Sequence, residues 1–435
     1  MPLCATKAFT INSRRKNANR KAVEAEKLSR LFCILPSAKS RKGVDFCLCV
    51  LYNALANRKR KNPNFINERK TPMKKLSHFS KGMGIGGWLT NYKRLAMLPE
   101  NKRFVITDGD LEHFDTYITE NDVKNIASMG FDHIRLGFDQ IVLESEPYVY
   151  RDHIFELIER FAAWCETYDV RLILNMHKAL GSYCDVAESY SLFDSEELQN
   201  RFTALWVEFE RRFSGRPDIM FELLNEVRDV KPELWNNLYL ATIKALRAVS
   251  PTRDIVVGTI CWNSASALKH LVVLEDDEHV HYTFHIYDPF EFTHQRCVLN
   301  AQQLFYNRAL SYPCDDMDRY RDYYRIDGRT DPYPADMKRM DKNYLRKVLQ
   351  GAVDFVEAHP DKILWCGEFG TIRHTDLASR INWMRDVISI CKEYDMPYSV
   401  WNYLSTPNDG NRFSLMDDDR REVLSKELLD VLLGK

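Results

Sequence analysis

Phe221-Glu222-Leu223-Leu224-Asn225-Glu226 and Leu364-Trp365-Cys366-Gly367-Glu368-Phe369 are the two stretches that decide the fold and the site of this chain. Each is an apolar, strand-like run that ends at or next to a glutamate. Burying a carboxylate is costly, so a strand that ends on one usually meets water or a functional site there. Two such strands in one chain predict two carboxylates, Glu226 and Glu368, that face one cleft.

Short apolar runs alternate with amphipathic segments from residue 82 onwards. The apolar runs are rich in Val, Ile, Leu and Phe, as expected of strands buried on both faces. The predicted strands cover 83–87, 131–136, 170–176, 219–224, 255–260, 280–286, 362–367 and 397–401. The predicted helices cover 119–129, 152–168, 195–213, 234–249, 264–271, 343–358, 376–394 and 421–433. Eight strands that alternate with eight helices predict an α/β protein, a (β/α)₈ TIM barrel.

The segment 290–342 is too long for a simple connection between the sixth strand and its helix. It is rich in Tyr, Asp and Arg. We interpret it as a small inserted helical subdomain at the cleft mouth, within a catalytic domain that covers 73–435.

Charge is distributed unevenly along a chain of 435 residues with a net charge of −1. Residues 1–72 hold 17 basic and 4 acidic residues, whereas the remainder carries a net charge of −14. Such a basic segment is either a nucleic-acid or membrane tether or a disordered or non-native extension. We favour the extension, with Met73 as a natural start, and expect neither a nucleic acid nor a membrane as partner.

Signals for a cellular compartment are weak in this sequence. The apolar stretch 46–56 lies too far from the N-terminus for a signal peptide and is too short to span a bilayer. The 11 cysteines form an odd, scattered set, which favours a reducing compartment over a disulfide framework. We expect a protein that is cytoplasmic, or exported without a recognisable signal.

The ends of the predicted strands are polar or aromatic. Catalytic groups of a TIM barrel lie at the carboxyl ends of its strands. A single Arg there is usually part of a surface ion pair, and a single His is usually structural, but the joint pattern indicates one site. Its members are Trp88, Arg135, His177, Asn225, Glu226, Trp262, His285, Tyr287, Glu368 and Trp401.

Glu226 and Glu368 have the chemistry needed to cleave a glycosidic bond. In a retaining hydrolase the two carboxyl groups lie about 5 Å apart. Two negative charges at that distance do not both ionise easily, so we expect one pKa to rise and the other to fall. We expect Glu368 to be the ionised nucleophile, and Glu226 to be the acid that protonates the departing oxygen and then the base that activates water.

Four neighbours of this pair have predicted supporting roles. Arg135 would stabilise Glu368 electrostatically, and the Tyr287 hydroxyl would donate a hydrogen bond to it. Gly367 would allow close approach of the sugar, and Asn225 would donate to the sugar 2-hydroxyl.

Aromatic side chains offer flat apolar surfaces for the C–H faces of sugar rings. Trp401 is the main candidate, followed by Trp88 and Trp262. Phe290 and Phe292 are candidates for outer subsites.

A metal site is the competing interpretation, suggested by His279-Val-His281 and His285. His-x-His can ligate zinc. However, His279 lies about 20 Å from His285 along an extended strand, at about 3.3 Å per residue, and no carboxylate-rich ligand set completes a site. We therefore expect neither a metal nor another cofactor.

Seven motifs together resemble glycoside hydrolase family 5, over residues 80–435. They are Gly84-Ile-Gly-Gly-Trp88, Phe131-Asp-His-Ile-Arg-Leu136, Asn175-Met-His177, Phe221-Glu-Leu-Leu-Asn-Glu226, Phe284-His-Ile-Tyr-Asp-Pro-Phe290, Cys366-Gly-Glu-Phe-Gly370 and Val400-Trp-Asn402. The resemblance implies a retaining endo-β-1,4-glucanase on a (β/α)₈ barrel, without a cofactor, with Glu226 as acid/base and Glu368 as nucleophile. It also implies that Arg135, His177, Asn225, His285, Tyr287 and Trp401 occupy the family's other active-site positions.

Two departures from the family pattern concern substrate choice. Gly137 replaces the usual proline between Leu136 and Phe138, and Lys178 follows His177 where the related pattern has alanine. We expect a monomer that acts on soluble or amorphous β-glucans, including cellulose derivatives and mixed-linkage glucan. Mannan, xylan and xyloglucan stay open as substrates, and so does a carbohydrate-binding barrel without catalysis.

Overall fold

The computed structural model describes residues 75–93, 95, 98–183, 190–298, 301–326, 328–406 and 412–435. The basic segment 1–72 and the proposed start at Met73 lie outside these residues.

Eight parallel strands form a closed barrel, which confirms the predicted (β/α)₈ fold. In chain order the strands are β1 Lys81–Leu89, β2 His133–Asp139, β3 Glu144–Glu146, β4 Val149–Tyr150, β5 Arg171–Lys178, β6 Met220–Glu222, β7 Ile255–Val257, β8 Val280–Ile286, β9 Leu364–Phe369 and β10 Tyr398–Val400. Around the barrel the order is β1-β10-β9-β8-β7-β6-β5-β2, and β3 and β4 form a separate antiparallel pair. All eight predicted strands are therefore present, in the predicted order.

Helices alternate with the strands. They are α1 Glu100–Arg103, α2 Asp108–Thr116, α3 Glu120–Met129, α4 Gln140–Leu143, α5 Asp152–Thr167, α6 Glu196–Phe213, α7 Pro232–Val249, α8 Ile260–Asn263, α9 Phe290–Thr293, α10 Ala301–Tyr306, α11 Met317–Arg325, α12 Lys342–Val348, α13 Gln350–Ala358, α14 Leu377–Glu393 and α15 Lys426–Leu432. The described residues also form two 3₁₀ turns, Leu192–Asp194 and Ala265–His270.

Three helix predictions differ from the structure. The last predicted helix, 421–433, begins only at Lys426. The segment 264–271 is a 3₁₀ turn, and the predicted helix 343–358 is divided into α12 and α13 at Leu349, whose ψ is 2°. Gly351 lies directly against this 3₁₀ turn, because a Cβ at Gly351 would come 2.3 Å from the carbonyl oxygen of Ala265. The close packing of these two segments gives a physical reason why the helix changes direction.

Helix α3 shows how the sequence fixes an element around the barrel. The carboxylate of Asp122 accepts hydrogen bonds from the backbone N–H and the hydroxyl of Thr119, both at 2.8 Å, and the first of these bonds is part of a capping box. The same carboxylate accepts a hydrogen bond of 3.0 Å from the hydroxyl of Tyr403, just after β10. Gly130 ends the helix with a φ of 103°, which only glycine adopts without strain. One cap therefore also joins the helix to the loop after the last strand.

The inside of the barrel has its own small apolar cluster. Ile173, Met220, Val256 and Trp365 contribute from four strands, and Phe79 contributes from the segment before β1. These residues alternate with neighbours that face the helices, so each strand is buried on both sides. The cluster fills one end of the barrel and leaves the other end for polar groups.

Between β8 and α12 the chain forms α9, α10 and α11. Glu291 of α9 is fully buried and accepts hydrogen bonds from the hydroxyls of Tyr324, at 3.2 Å, and Tyr333. These bonds join the first helix of the segment to its later part. That 290–342 is a subdomain over the cleft mouth stays a prediction.

Cysteine pairing and helix length are two further features of the described residues. Among the cysteines that the structure describes, Cys165, Cys314, Cys366 and Cys391 are free thiols. Within the described ranges, the helices are too short or too polar to cross a membrane.

Arg253 makes several polar contacts at the amino-terminal end of the barrel. It is 1% exposed and donates to the Glu210 carboxylate at 2.6 Å. It also donates to three backbone carbonyls, those of Phe213, Arg216 and Ile219. One side chain therefore joins the end of α6 to the entry into β6.

We predict that Arg253→Met lowers the free energy of unfolding by about 3–5 kcal/mol, because Glu210 then keeps a buried charge without a partner. Denaturant unfolding measures this loss. Glu210→Gln in the same variant should recover part of it. Arg211→Met, which removes an exposed ion pair of α6, is the matched control and should change stability by about 1 kcal/mol or less. Equal losses in the two arginine variants would contradict this account of Arg253.

Candidate active site

The carboxyl ends of the barrel strands bring the predicted polar residues together. Arg135 lies on β2, His177 on β5, His285 on β8 and Glu368 on β9, and Glu226 follows β6. Oxygen atoms of Glu226 and Glu368 and a ring nitrogen of His285 all lie within 4.8 Å of one another. Two carboxylates this close fit direct attack by one of them, rather than attack by a water held between them.

The backbone of Glu226 has a φ of 35°, in the left-handed region. A residue with a side chain rarely adopts this conformation, and such strain is concentrated at functional sites. The turn comes four residues after Glu222, where the strand ends.

Glu368 is held at both carboxylate oxygens. The Nη1 atom of Arg135 donates to one oxygen, and the Tyr287 hydroxyl donates to the other at 2.9 Å. The residue is 4% exposed. Both contacts were predicted from the order of the strand ends.

Glu222 is a site residue that the sequence analysis did not identify. Its carboxylate accepts from Nε and Nη2 of Arg135, at 2.6 and 2.8 Å. Nη2 also donates to the Asn225 side-chain oxygen at 2.7 Å. The guanidinium of Arg135 therefore bridges Glu222, Asn225 and Glu368. The sequence did contain a signal for Glu222, because it is a charged residue inside an otherwise apolar strand.

Burial controls the protonation of both catalytic candidates. It raises the pKa of Glu226 to about 7, with the charge of Arg135 opposing the rise and that of Glu222 adding to it. Burial also raises the pKa of Glu368, against the influence of His285 and Arg135. The expectation that one pKa falls is therefore wrong. The reason is that Glu368 is desolvated and shares the charge of Arg135 with Glu222.

His285 connects the acid candidate to the next loop. Its Nδ1 lies 2.8 Å from Glu226 Oε1, and its Nε2 lies 3.3 Å from the side-chain nitrogen of Asn263. Burial lowers the pKa of His285 to about 4, so the ring is neutral at neutral pH. If the Asn263 amide donates to Nε2, then Nδ1 carries the proton and donates to Glu226. Asn263 is a second residue that the sequence analysis did not identify.

Trp401 and His177 form a stacked pair at the carboxyl ends of β10 and β5. Their rings are nearly parallel, with centroids 5.3 Å apart and an interplanar angle of 10°. The ring of His177 is held by Asn175, whose side-chain oxygen is 3.0 Å from Nδ1. Gly84 and Gly86 lie against the indole, because a Cβ at either position would come within 2.8 Å of it. The glycine-rich motif on β1 therefore makes room for Trp401.

Two predicted sugar-binding aromatics lie in the core instead. Trp88 is 1% exposed, and its indole nitrogen donates to the Phe114 carbonyl at 2.7 Å. Phe292 is fully buried beside Tyr312. Strand β1 continues to Leu89, so its last residues still alternate between the barrel interior and the helices. Neither Trp88 nor Phe292 can therefore contact a sugar.

Gly367 also has a different role from the one predicted. A Cβ at this position would come 2.5 Å from the Thr283 hydroxyl and 3.2 Å from Nε2 of His285. The missing side chain therefore allows β9 to pack against β8, and the close approach that it permits is between strands rather than to a sugar.

The remaining aromatic candidates are half-buried at the rim. Phe290 stacks on His294, with centroids 4.2 Å apart. The Arg228 guanidinium lies 6.0 Å from the ring centroid of Trp262 and 5.0 Å from that of Tyr190. Backbone bonds fix this contact, since the N–H groups of Cys261 and Trp262 donate to the carbonyls of Arg228 and Val227.

The histidines of the alternative metal site do not converge. His279 and His281 each lie 3.0 Å from the same oxygen of Asp254, near the start of β8. His285 lies at the other end of that strand, beside Glu226. That the site works without a metal or another cofactor stays a prediction.

Comparisons with known proteins agree on a family. The family model described as cellulase (glycosyl hydrolase family 5) matches residues 99–406. Endoglucanase C of Acetivibrio thermocellus is 36% identical over an alignment of 361 residues, and the alignment covers 81% of this chain and 98% of that protein. Cellodextrinase A of Ruminococcus flavefaciens is 27% identical over 72% of this chain and 82% of its own length. The solved endoglucanase Cel5A of Thermotoga maritima has a TM-score of 0.61 at 23% identity, covering 82% of this chain and 97% of that one.

We predict that Glu222→Gln lowers the pKa of Glu226 below about 7. The substitution removes a negative charge that raises this pKa and frees more of the Arg135 charge to act on Glu226. A ¹³C NMR titration of the glutamate side-chain carboxyls measures the change.

Glu210→Gln is the matched control, since it neutralises another buried carboxylate that is paired with an arginine, Arg253. It should leave the titration of Glu226 unchanged. A Glu226 that titrates at the same pH with and without the Glu222 charge would contradict the electrostatic role of Glu222.

Proposed function

Because the chain belongs to glycosyl hydrolase family 5, we propose that Glu226 and Glu368 cleave β-1,4-glucosidic bonds by double displacement. The protein is an endo-β-1,4-glucanase. One observation supports the assignment of roles most strongly: the two carboxylates lie within 4.8 Å of one another but have different partners. Glu368 accepts hydrogen bonds from Arg135 and Tyr287, and Glu226 is hydrogen-bonded to His285.

The two glutamates share one proton at neutral pH, because their charges repel at this distance. Glu368 accepts hydrogen bonds from a permanent cation and from a hydroxyl. Burial raises the pKa of Tyr287 well above 10, so this hydroxyl remains a donor. Both donors favour the ionised form of Glu368 over that of Glu226. The proton is therefore placed on Glu226, where a general acid is needed.

In the first step an oxygen of Glu368 forms a bond to the anomeric carbon while the bond to the leaving oxygen breaks. Glu226 gives its proton to that oxygen, so the leaving chain departs as a neutral alcohol. In the second step Glu226 takes a proton from water, which attacks the anomeric carbon and releases Glu368. Two inversions at one carbon give net retention.

The sugar on the Glu368 side would lie against Trp401. The Asn225 side-chain oxygen accepts from Arg135, and its amide nitrogen lies 3.4 Å from Nε2 of His177. One N–H of the amide is then left to donate towards the sugar 2-hydroxyl. On the leaving-group side, Trp262 offers a ring that is held in place by the bonded loops after β6 and β7. With one sugar against Trp401 and the next against Trp262, the scissile bond would lie between the two glutamates.

The preferred substrate is a soluble or amorphous β-glucan, including cellulose derivatives and mixed-linkage glucan. The names of the relatives support this choice, since they include several endoglucanases and a cellodextrinase. The chain is proposed to act as a monomer, since every catalytic group named above comes from one barrel.

We predict that Glu226→Gln affects substrates according to their leaving groups. Hydrolysis of cello-oligosaccharides, whose leaving groups need a proton, should slow by about 10²–10⁴-fold. Formation of the glycosyl-enzyme from a dinitrophenyl cellobioside should change far less. Pre-steady-state kinetics on both substrates separate the two effects.

The wild-type pH profile provides an internal check. Glu226 must be protonated to act as the acid, so kcat/KM for cello-oligosaccharides should fall as the pH rises past about 7. The dinitrophenyl substrate, whose leaving group needs no proton, should lack this limb in the wild type. Glu278→Gln, an exposed carboxylate at the other end of the barrel, is the control. If Glu226→Gln slowed hydrolysis equally for substrates with good and with poor leaving groups, Glu226 would be excluded as the acid.

A further inference from the structure

Three arginines are buried in the part of the chain that the structure describes, and one of them has no carboxylate partner. Arg135 pairs with Glu222 and Glu368, and Arg253 pairs with Glu210. Arg380 is 6% exposed, and its one side-chain hydrogen bond among the described residues runs from Nε to the Thr371 hydroxyl, at 3.2 Å. Its two Nη groups are therefore available for a ligand.

A guanidinium that is mostly buried and has no carboxylate partner loses much of its hydration, and arginine cannot avoid this cost by losing its proton at neutral pH. Burial and the nearby charge of Arg373 lower the pKa of Arg380 only to about 10. Arg380 also lies in the first turn of α14, where the helix dipole disfavours a cation. A bound anion would offset all three costs.

The surroundings of Arg380 provide further groups that suit an anion. Arg373 lies in the loop between β9 and α14 and is itself held by Asp418, at 2.8 Å, and by Ser414. In the same loop, the Thr375 hydroxyl is buried and has no hydrogen-bond partner among the described residues. The Thr375 hydroxyl, two residues after Arg373 in the chain, is therefore a donor without an acceptor among the described residues.

We propose that Arg380, together with Arg373 and Thr375, binds an oxyanion. The two Nη groups of a guanidinium match two oxygens of a phosphate or a carboxylate. The loop lies after β9, at the same end of the barrel as Glu368, where TIM barrels often bind phosphate groups. The ligand is either a free inorganic oxyanion or the carboxylate of an acidic sugar branch on the glucan.

This site does not use Glu226 or Glu368, so it can fail without affecting the proposed hydrolysis, and the reverse is also true. The experiment measures thermal unfolding of the full chain with inorganic phosphate, with glucuronate and with neutral glucose. We expect saturable increases in Tm of about 2–5 °C with at least one of the two anions and none with glucose. A response to phosphate alone identifies a free oxyanion as the ligand, and a response to glucuronate identifies a sugar carboxylate.

Arg380→Met should abolish the increase in Tm. Without an anion this variant should be at least as stable as the wild type, because it removes an uncompensated buried charge. Arg385→Met, on an exposed position of the same helix, is the matched control and should keep the full response. Anions that stabilise the wild type no more than Arg380→Met would overturn the proposal, and so would a variant that loses stability without any anion.

Discussion

The guanidinium of Arg135 is the contact on which the site depends. It is fully buried, lies 6.0 Å from the ring centroid of Trp365 and donates to Glu222, Asn225 and Glu368 at once. Two buried carboxylates beside a third would repel one another strongly in a medium of low dielectric constant. A single permanent cation, shared among them, allows all three to lie at the end of the barrel.

The sharing also creates the difference between the two catalytic glutamates. Arg135 reaches Glu368 directly, whereas Glu226 receives only the neutral ring of His285. The closed barrel makes this geometry reproducible, because β2, β8 and β9 are fixed by backbone bonds in one parallel sheet. The loops after β6 and β7 then complete the site. The side chain of Asn263 is hydrogen-bonded to His285, and the backbone N–H of Trp262 donates to the carbonyl of Val227.

Much of this arrangement could be predicted from the sequence, because strands buried on both faces leave long apolar runs and barrel topology then puts their ends together. The sequence does not show which way a side chain points when that direction depends on the last residue of its strand or helix. Trp88 was assigned to the cleft, but β1 runs as far as Leu89, and the indole bonds to Phe114. Phe292 lies in a four-residue helix, which is too short to show a periodic pattern.

Partners across strands are equally hard to predict from a sequence. The motif around Glu226 contained Glu222, but its role requires the guanidinium of a strand 87 residues away. Gly367 is explained by the Thr283 hydroxyl of the neighbouring strand rather than by a ligand. In both cases the residue type marked the position as unusual, and only the packing of the strands showed why.

The anomeric configuration of the first product tests the central claim most directly. Proton NMR can follow hydrolysis of a β-linked cello-oligosaccharide faster than the product mutarotates. Two carboxylates that lie within 4.8 Å of one another should act by double displacement, so the β-anomer should appear first and the α-anomer only later. If the α-anomer appears first, water attacks the sugar directly, and the roles assigned to Glu226 and Glu368 are wrong.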